Sequence, residues 1–159
     1  MSEPRTITVD TRADCEAQFL ACVDASTTTL AAFDPDFVVF PLGSTRADTA
    51  LRAFFARGGR LRLALHDTAH IERNYPRFLR LLRDYGHLCA CRQTPRGLRQ
   101  LTDSFWIGDD RHSVRRFHSD HLRGEAAFDQ PPACELAQFR FEAIWQESQA
   151  ALQVSKTGL

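Results

Sequence analysis

Apolar residues alternate with polar ones over several short segments of this chain and recur at helical spacing over others. Arg60 to Leu65 (RLRLAL) alternates most regularly and predicts a strand, and Thr6–Asp10 and Thr27–Phe33 predict two earlier strands. Helical spacing predicts helices over residues 11–26, 45–57, 74–84 and 132–152. Strands joined by helices of this length favour a largely parallel sheet with helices on both faces.

The pattern changes after residue 97. A strand at His87–Cys91 is followed by three closely spaced strands at Ser104–Ile107, Ser113–Phe117 and Leu122–Phe128. Phe37–Phe40 fits either a strand extension or a packed loop. We therefore predict a mixed α/β fold in one domain, residues 1–152, with a frayed tail at 153–159.

Charge is distributed unevenly along a chain whose formal net charge is zero. Residues 1–50 hold three arginines against eight acids, and residues 101–159 hold five arginines and Lys156 against nine acids. Residues 51–100 hold eleven arginines against three acids. This basic middle can form a patch for phosphate or an acidic partner, or it can consist of solvated helix faces and internal ion pairs.

Several classes of protein are disfavoured by composition. No apolar run approaches the about 20 residues of a membrane-spanning helix, and the first ten residues lack the apolar stretch of a signal peptide. We expect a cytoplasmic protein without membrane insertion. The five cysteines include no C-x-x-C pair, which predicts buried free thiols and neither a zinc ribbon nor a disulfide framework. We predict no cofactor and no bound metal.

The densest polar chemistry lies between Leu101 and Phe128. In the segment His118-Ser119-Asp120-His121, a histidine beside an acid can act as a general base, and Arg115 and Arg116 just upstream can hold a phosphate. The alternative is a structural turn with ion pairing.

A second group of polar residues follows predicted strands. His66 and Asp67 come at the carboxyl end of RLRLAL, and Asp34 ends the strand at 27–33. Ligands bind beyond the carboxyl ends of strands in open α/β sheets. His66 and His70 have metal-ligand spacing only if the segment is helical, which a strand-to-loop transition disfavours. A substrate role and an ordinary polar loop both remain open.

The order of these elements resembles one half of the phospholipase D-like superfamily. The strand RLRLALHD, the helix FLRLLRDYG, the strand HLCAC and the hairpin LTDSFWIGDDRHSVRRF carry the resemblance, which covers Thr27 to Phe128. The family's motif is His-x-Lys-x-x-x-x-Asp. Counting back from Asp109 places Thr102 at the histidine and Ser104 at the lysine. The glycine-serine-x-asparagine segment is also missing.

The resemblance implies that the family's reaction is absent, because neither threonine nor serine can replace an imidazole that forms and releases a phospho-enzyme. It also implies a surviving phosphate-shaped cleft, and by analogy a homodimer. The predicted ligand-binding residues are Thr102, Ser104, Asp109, Arg111, Arg115, Arg116 and Asp67.

Three functions are compatible with the sequence. The first is a non-catalytic binding or regulatory module for phosphate-bearing ligands, nucleic acid among them. The second is a divergent phosphodiesterase or nuclease that uses His118, Asp120 and His66. The third is a protein-interaction domain without a small ligand.

Overall fold

A computed structural model describes residues 3–152, so the predicted tail at 153–159 lies outside the described residues. The strands are β1 (Arg5–Val9), β2 (Thr29–Asp34), β3 (Arg60–Leu65), β4 (Cys89–Gln93), β5 (Ser104–Gly108), β6 (His112–Arg116), β7 (Gly124–Phe128) and β8 (Gln149–Ala151). The helices are α1 (Arg12–Ala25), α2 (Thr45–Ala56), α3 (Ala69–Asn74), α4 (Pro76–Asp84) and α5 (Pro131–Glu147).

All eight strands form one sheet in the order β1-β7-β6-β5-β2-β3-β4-β8. The predicted mixed α/β fold is confirmed, but the expectation of a largely parallel sheet is wrong. Only the pairs β2–β3 and β3–β4 are parallel among the described residues, and every other neighbouring pair is antiparallel. The reason is that β5, β6 and β7 are joined by hairpins, while β1 and β8 add antiparallel strands at the two edges.

Side-chain caps explain the starts of two of the five helices in residues 3–152. Thr11 caps α1, since its hydroxyl accepts a hydrogen bond from the Asp14 amide at 3.0 Å and Asp14 accepts one from the Thr11 amide at 3.2 Å. Ser44 caps α2 by accepting from the Ala47 amide at 3.0 Å. Phe37–Phe40 is a packed loop and not a strand extension.

Two predicted boundaries are wrong at the end of the chain and near β4. The last helix ends at Glu147, and Gln149–Ala151 pairs with β4. The strand predicted at 87–91 is displaced to 89–93, and the short helix α3 was not predicted. The segment after Glu147 has no strand alternation, so its pairing with the free edge of β4 is a tertiary effect.

Aromatic side chains fill the core on both faces of the sheet. On the face covered by α1 to α4, the fully buried Trp106 packs 4.6 Å from Phe19 and 6.3 Å from Phe40 between ring centroids. On the face covered by α5, Phe105 packs against Phe33 at 5.9 Å and Phe141 at 6.5 Å. All five cysteines are free, and only Cys89 among them is partly exposed.

Asp109 joins the β5–β6 hairpin to the start of β2. Its carboxylate accepts hydrogen bonds from the amides of Thr27 (2.9 Å), Thr28 (2.8 Å) and Thr29 (3.0 Å), and from the Thr27 hydroxyl at 3.2 Å. Burial raises the pKa of Asp109, but these four donors outweigh it and hold the pKa below its usual value. Asp109 therefore serves as a structural clamp.

We predict that Asp109→Asn lowers the free energy of unfolding at pH 7 by about 1.5–3 kcal/mol, because a charged acceptor is lost. The native pKa of Asp109 lies below the unfolded value of about 3.9, so its contribution is present above that value and is lost as the pH falls through the native pKa. Urea denaturation should thus show a smaller difference between wild type and variant at pH 3 than at pH 7. The neighbouring, exposed Asp110→Asn is the control and should change little. An equal difference at both pH values would contradict the clamp.

Candidate functional site

The carboxyl ends of β2 and β3 meet the start of β5 and the end of β6 at one end of the sheet. The β2–β5 register pairs Phe33 with Phe105, which places Asp34 beside Ser104. The β5–β6 register pairs Ser104 directly with Arg116. Three strands thereby bring an acid, a hydroxyl and a guanidinium together, and we call Asp34, Ser104 and Arg116 the buried triad.

Hydrogen bonds from the other two members of the buried triad and from two backbone amides satisfy both oxygens of the Asp34 carboxylate. Asp34 has no exposed surface, and Arg116 is 4% exposed. The Ser104 hydroxyl donates to Asp34 Oδ1, and Arg116 Nη2 lies 3.4 Å from that oxygen and 3.3 Å from Ser104 Oγ. Asp34 Oδ2 accepts from the amides of Asp36 at 3.0 Å and Phe37 at 2.6 Å. Groups of the protein itself therefore occupy both oxygens of the Asp34 carboxylate.

Burial dominates the electrostatics of the triad. It raises the pKa of Asp34 above its usual value, and the hydrogen bonds from Ser104 and the two amides, with the charge of Arg116, offset only part of this effect. Arg116 Nη1 also donates to the Ser119 carbonyl at 3.2 Å. Arg116 Nε is buried with no hydrogen-bond partner in the described part of the chain. The cation beside Ser104 is thus an arginine neutralised by Asp34.

His66 lies at the same end of the sheet, and both of its ring nitrogens are engaged. Nε2 donates to the Leu101 carbonyl at 2.7 Å, and Nδ1 lies 2.5 Å from the Thr94 hydroxyl, which donates to it in the neutral ring. The buried imidazole therefore fastens the loop after β4 to the end of β3. The adjacent Asp67 is exposed and accepts from the Ala69 amide at 2.9 Å, at the start of α3.

The segment of His118, Asp120 and His121 forms the loop between β6 and β7. His118 Nδ1 accepts from the Asp120 amide at 3.0 Å and lies 3.5 Å from the Asp120 carboxylate, which is 85% exposed. A neutral imidazole that accepts at Nδ1 cannot also donate there to the carboxylate. This geometry favours the structural turn over an oriented general base.

The structure divides the predicted ligand-binding residues between two ends and two faces of the sheet. Thr102 and Ser104 lie near His66, but Asp109 is five residues along β5 from Ser104, a distance of about 17 Å at 3.4 Å per residue. Arg111 shares that far end and donates to Asp129 at 3.0 Å.

Arg115 is exposed on the face of the sheet opposite Arg116, with its guanidinium 5.2 Å from the Phe117 ring centroid. The predicted set therefore does not form one pocket. Asp34 was absent from that set, although its position at the end of a predicted strand was the available signal.

Metal-binding clusters and membrane-spanning helices are absent from the described region, residues 3–152. It contains no group of three or more His, Cys, Asp or Glu side chains placed to hold a metal ion. No helix within it has the length and apolar character needed to cross a bilayer. A groove of about 560 Å³ opens between α5 and the amino ends of β2 to β4, where Arg60, Arg62 and Glu142 are among its lining residues. This groove lies at the end of the strands away from the buried triad.

We predict that Arg116→Met lowers the free energy of unfolding by about 3–5 kcal/mol, because it leaves the Asp34 carboxylate buried without its counter-charge. Adding Asp34→Asn to that variant should recover part of the loss. Urea denaturation measures both effects, with the exposed neighbour Arg115→Met as the control. If Arg116→Met and Arg115→Met lower the free energy of unfolding equally, the buried Asp34–Arg116 pair stabilises the fold no more than an exposed arginine does.

Solved structures share this fold. Nuc from Salmonella typhimurium, a phospholipase D family member, matches with a TM-score of 0.67 and 13% identity, over 94% of this chain and 99% of that chain. NucT from Helicobacter pylori matches with a TM-score of 0.59 and 9% identity, over 94% of this chain and 100% of that chain. The predicted phospholipase D-like fold is thus confirmed, and it extends beyond residues 27–128.

A third structure of the same fold is TrmBL2, described as an archaeal chromatin protein with a novel mode of DNA binding. It matches with a TM-score of 0.68 and 9% identity, over 92% of this chain and 54% of that chain. This chain therefore spans about half the length of TrmBL2. At such identities the likeness establishes the fold alone.

Among curated proteins, none matches the sequence. A family model does match, over residues 11–155, and it is the model of a domain of unknown function, DUF7931. The match covers most of the sheet and all five helices. The chain therefore belongs to the DUF7931 family, and its fold is phospholipase D-like.

Proposed function

We propose that this chain is a non-catalytic phospholipase D-like module of the cytoplasm that binds phosphate-bearing ligands, with nucleic acid the first candidate. The observation that carries the proposal is the exposed charge of residues 51–100. Six of their eleven arginines make no ion pair or side-chain hydrogen bond within residues 3–152. These six are Arg60, Arg73, Arg80, Arg83, Arg96 and Arg99.

The other five arginines of this segment have structural partners. Arg52 pairs with Asp48 and Asp84, and Arg62 pairs with Glu142. Arg57, Arg77 and Arg92 donate to backbone carbonyls of other elements. Internal pairing thus accounts for only part of the basic middle, and the remaining charge is available to attract polyanions.

The absence of catalysis is proposed from the buried triad and from His66. The resembled family uses a histidine nucleophile and a lysine where this chain has Thr102 and Ser104. The nearby cation, Arg116, is already neutralised by Asp34, and His66 has no free ring nitrogen. Thr102 and Ser104, at the positions of the family's histidine and lysine, lack the chemistry to form a phospho-enzyme.

Nucleic acid is favoured as the ligand for two reasons. Polyphosphate backbones bind arginine surfaces through counterion release, which needs no enclosed pocket. In addition, one protein of the same fold, TrmBL2, is described as a DNA-binding chromatin protein.

We predict that the protein binds short labelled DNA or RNA and thereby increases the fluorescence anisotropy of the label. The logarithm of the association constant should fall linearly with the logarithm of the salt concentration. The slope should be about −0.9 for each phosphate contacted on duplex DNA. Absent or salt-insensitive binding would overturn the proposal.

In parallel, wild type and His118→Ala should show no turnover of a generic phosphodiester. Turnover that disappears in His118→Ala would instead support the phosphodiesterase alternative with His118, Asp120 and His66.

A second candidate function, protein assembly, is favoured by the outer face of α5. Leu136 is 71% exposed and Phe139 is 77% exposed, although both are large and apolar. Pro132 and Ala143 extend the same stripe at helical spacing. Exposed apolar stripes mark interaction surfaces, and a helix face can pack on its own copy about a two-fold axis. We propose a homodimer formed through this stripe.

We predict that Leu136→Glu with Phe139→Glu converts a dimer to a monomer, because charges would be buried in the contact. Analytical ultracentrifugation measures the mass, and Phe117→Glu, which changes an exposed aromatic of another element, is the control. A monomeric wild type would refute the homodimer. A dimer that survives the α5 variant would exclude this stripe as its interface.

A further inference from the structure

The helix α4 presents two unpaired arginines on a rigid support. Its residues Phe78, Leu81 and Leu82 are buried in the core, so the opposite face of the helix points to solvent. Arg80 and Arg83 lie on that opposite face and are exposed. Their positions follow from the buried face, and no partner within residues 3–152 holds them.

The preceding helix α3 contributes Arg73, which is also exposed. Hydrogen bonding continues across the junction at Tyr75, whose amide donates to the Ile71 carbonyl at 2.9 Å while its own carbonyl accepts from the Leu79 amide at 3.1 Å. The Tyr75 hydroxyl donates to the Phe37 carbonyl at 2.6 Å, which ties the junction to the core. We call Arg73, Arg80 and Arg83 the arginine ladder.

Within residues 3–152, the acids of this segment form no ion pair with the arginine ladder. Asp84 is paired with Arg52 at 3.0 Å, on α2. Glu72 accepts a hydrogen bond from the Thr68 hydroxyl at 2.7 Å at the start of α3. Arg77, the fourth arginine of the segment, donates to the Gly43 carbonyl at 2.7 Å and helps to anchor α4. The anchored and exposed arginines thus have separate roles.

We infer that the arginine ladder contacts the phosphate backbone of double-stranded nucleic acid, an inference that rests on the proposed function. Arg80 and Arg83 lie within α4, where three residues rise about 4.5 Å at 1.5 Å per residue, and Arg73 lies on α3 before the non-helical Tyr75. Phosphate contacts position a protein without reading sequence, so binding through this face is independent of sequence.

The composition of the face favours a duplex over a single strand. Proteins that bind single strands usually offer exposed aromatic rings on which bases stack. On α3 and α4 the only Phe, Tyr or Trp is Phe78, which is buried, and Tyr75 at the junction is buried as well. The face therefore supplies charge without a stacking platform.

The experiment compares two triple variants that lose the same charge. Arg73→Gln, Arg80→Gln and Arg83→Gln together remove the arginine ladder. Arg12→Gln, Arg46→Gln and Arg123→Gln together remove three exposed arginines outside residues 51–100 and form the matched control. In duplex anisotropy titrations, the ladder variant should lose about tenfold or more in affinity, and its salt slope should fall by about two to three. The control should change affinity less than about threefold, since its arginines lie elsewhere.

A third variant separates charge from helix integrity. Replacing the ladder with lysines keeps three cations that can serve phosphate as point charges, and it should retain affinity within about threefold of wild type. Urea denaturation should show that all variants remain folded. Binding lost in the lysine variant as severely as in the glutamine variant would overturn the inference.

Failure of the inference and failure of the proposed function give different results. If wild type binds a duplex and both glutamine triples weaken it equally, the ladder is not the contact surface, while the binding function stands. If wild type prefers a single strand and the ladder variant binds it normally, the duplex assignment is overturned. Equal affinity for a polyglutamate peptide would overturn nucleic acid as the ligand. If wild type binds no nucleic acid at low salt, the proposed function fails.

Discussion

The arrangement of one end of the sheet depends on the buried carboxylate of Asp34. An ionised carboxylate without solvent costs several kcal/mol unless every lone pair has a donor. Here the donors come from the loop after β2, from Ser104 on β5 and from Arg116 on β6. Satisfying one charge therefore fixes three strands and one loop together. At the other end of the same strands, Asp109 performs the corresponding task for the start of β2.

The same internal satisfaction has a functional consequence. A catalytic cleft for phosphoryl transfer needs a nucleophile and a cation that are free to meet the substrate. In this chain the cation is neutralised by Asp34, and the imidazole of His66 is held by Thr94 and Leu101. Arg116 and His66 therefore stabilise the fold. The remaining polar chemistry lies on the surface, where charge can attract a polyanion and does not need a pocket.

Some arginines of this chain pack within the fold, and others leave positive charge on the surface. Arg62 and Arg92 lie against Trp145, with guanidinium-to-centroid distances of 5.5 Å and 4.3 Å. These cation–π contacts help to hold α5 against the sheet. Arg80 and Arg83 make no such contact in the described part of the chain, and the helix beneath them is held by apolar residues instead. The excess of positive charge at residues 51–100 is thus divided between packing and a free surface.

The sequence by itself determined the local elements and the superfamily fold. Alternation identified β3, helical spacing identified α1 and α2, and the order of elements indicated the phospholipase D-like fold. These features depend on residues close together in the chain. Only the tertiary structure decided that β5 lies antiparallel to β2 and that β8 covers β4. It also decided which arginines are paired. The reason is physical: strand partners, burial and ion pairs depend on residues distant in sequence, such as Asp34 and Arg116, and no local pattern encodes their contact.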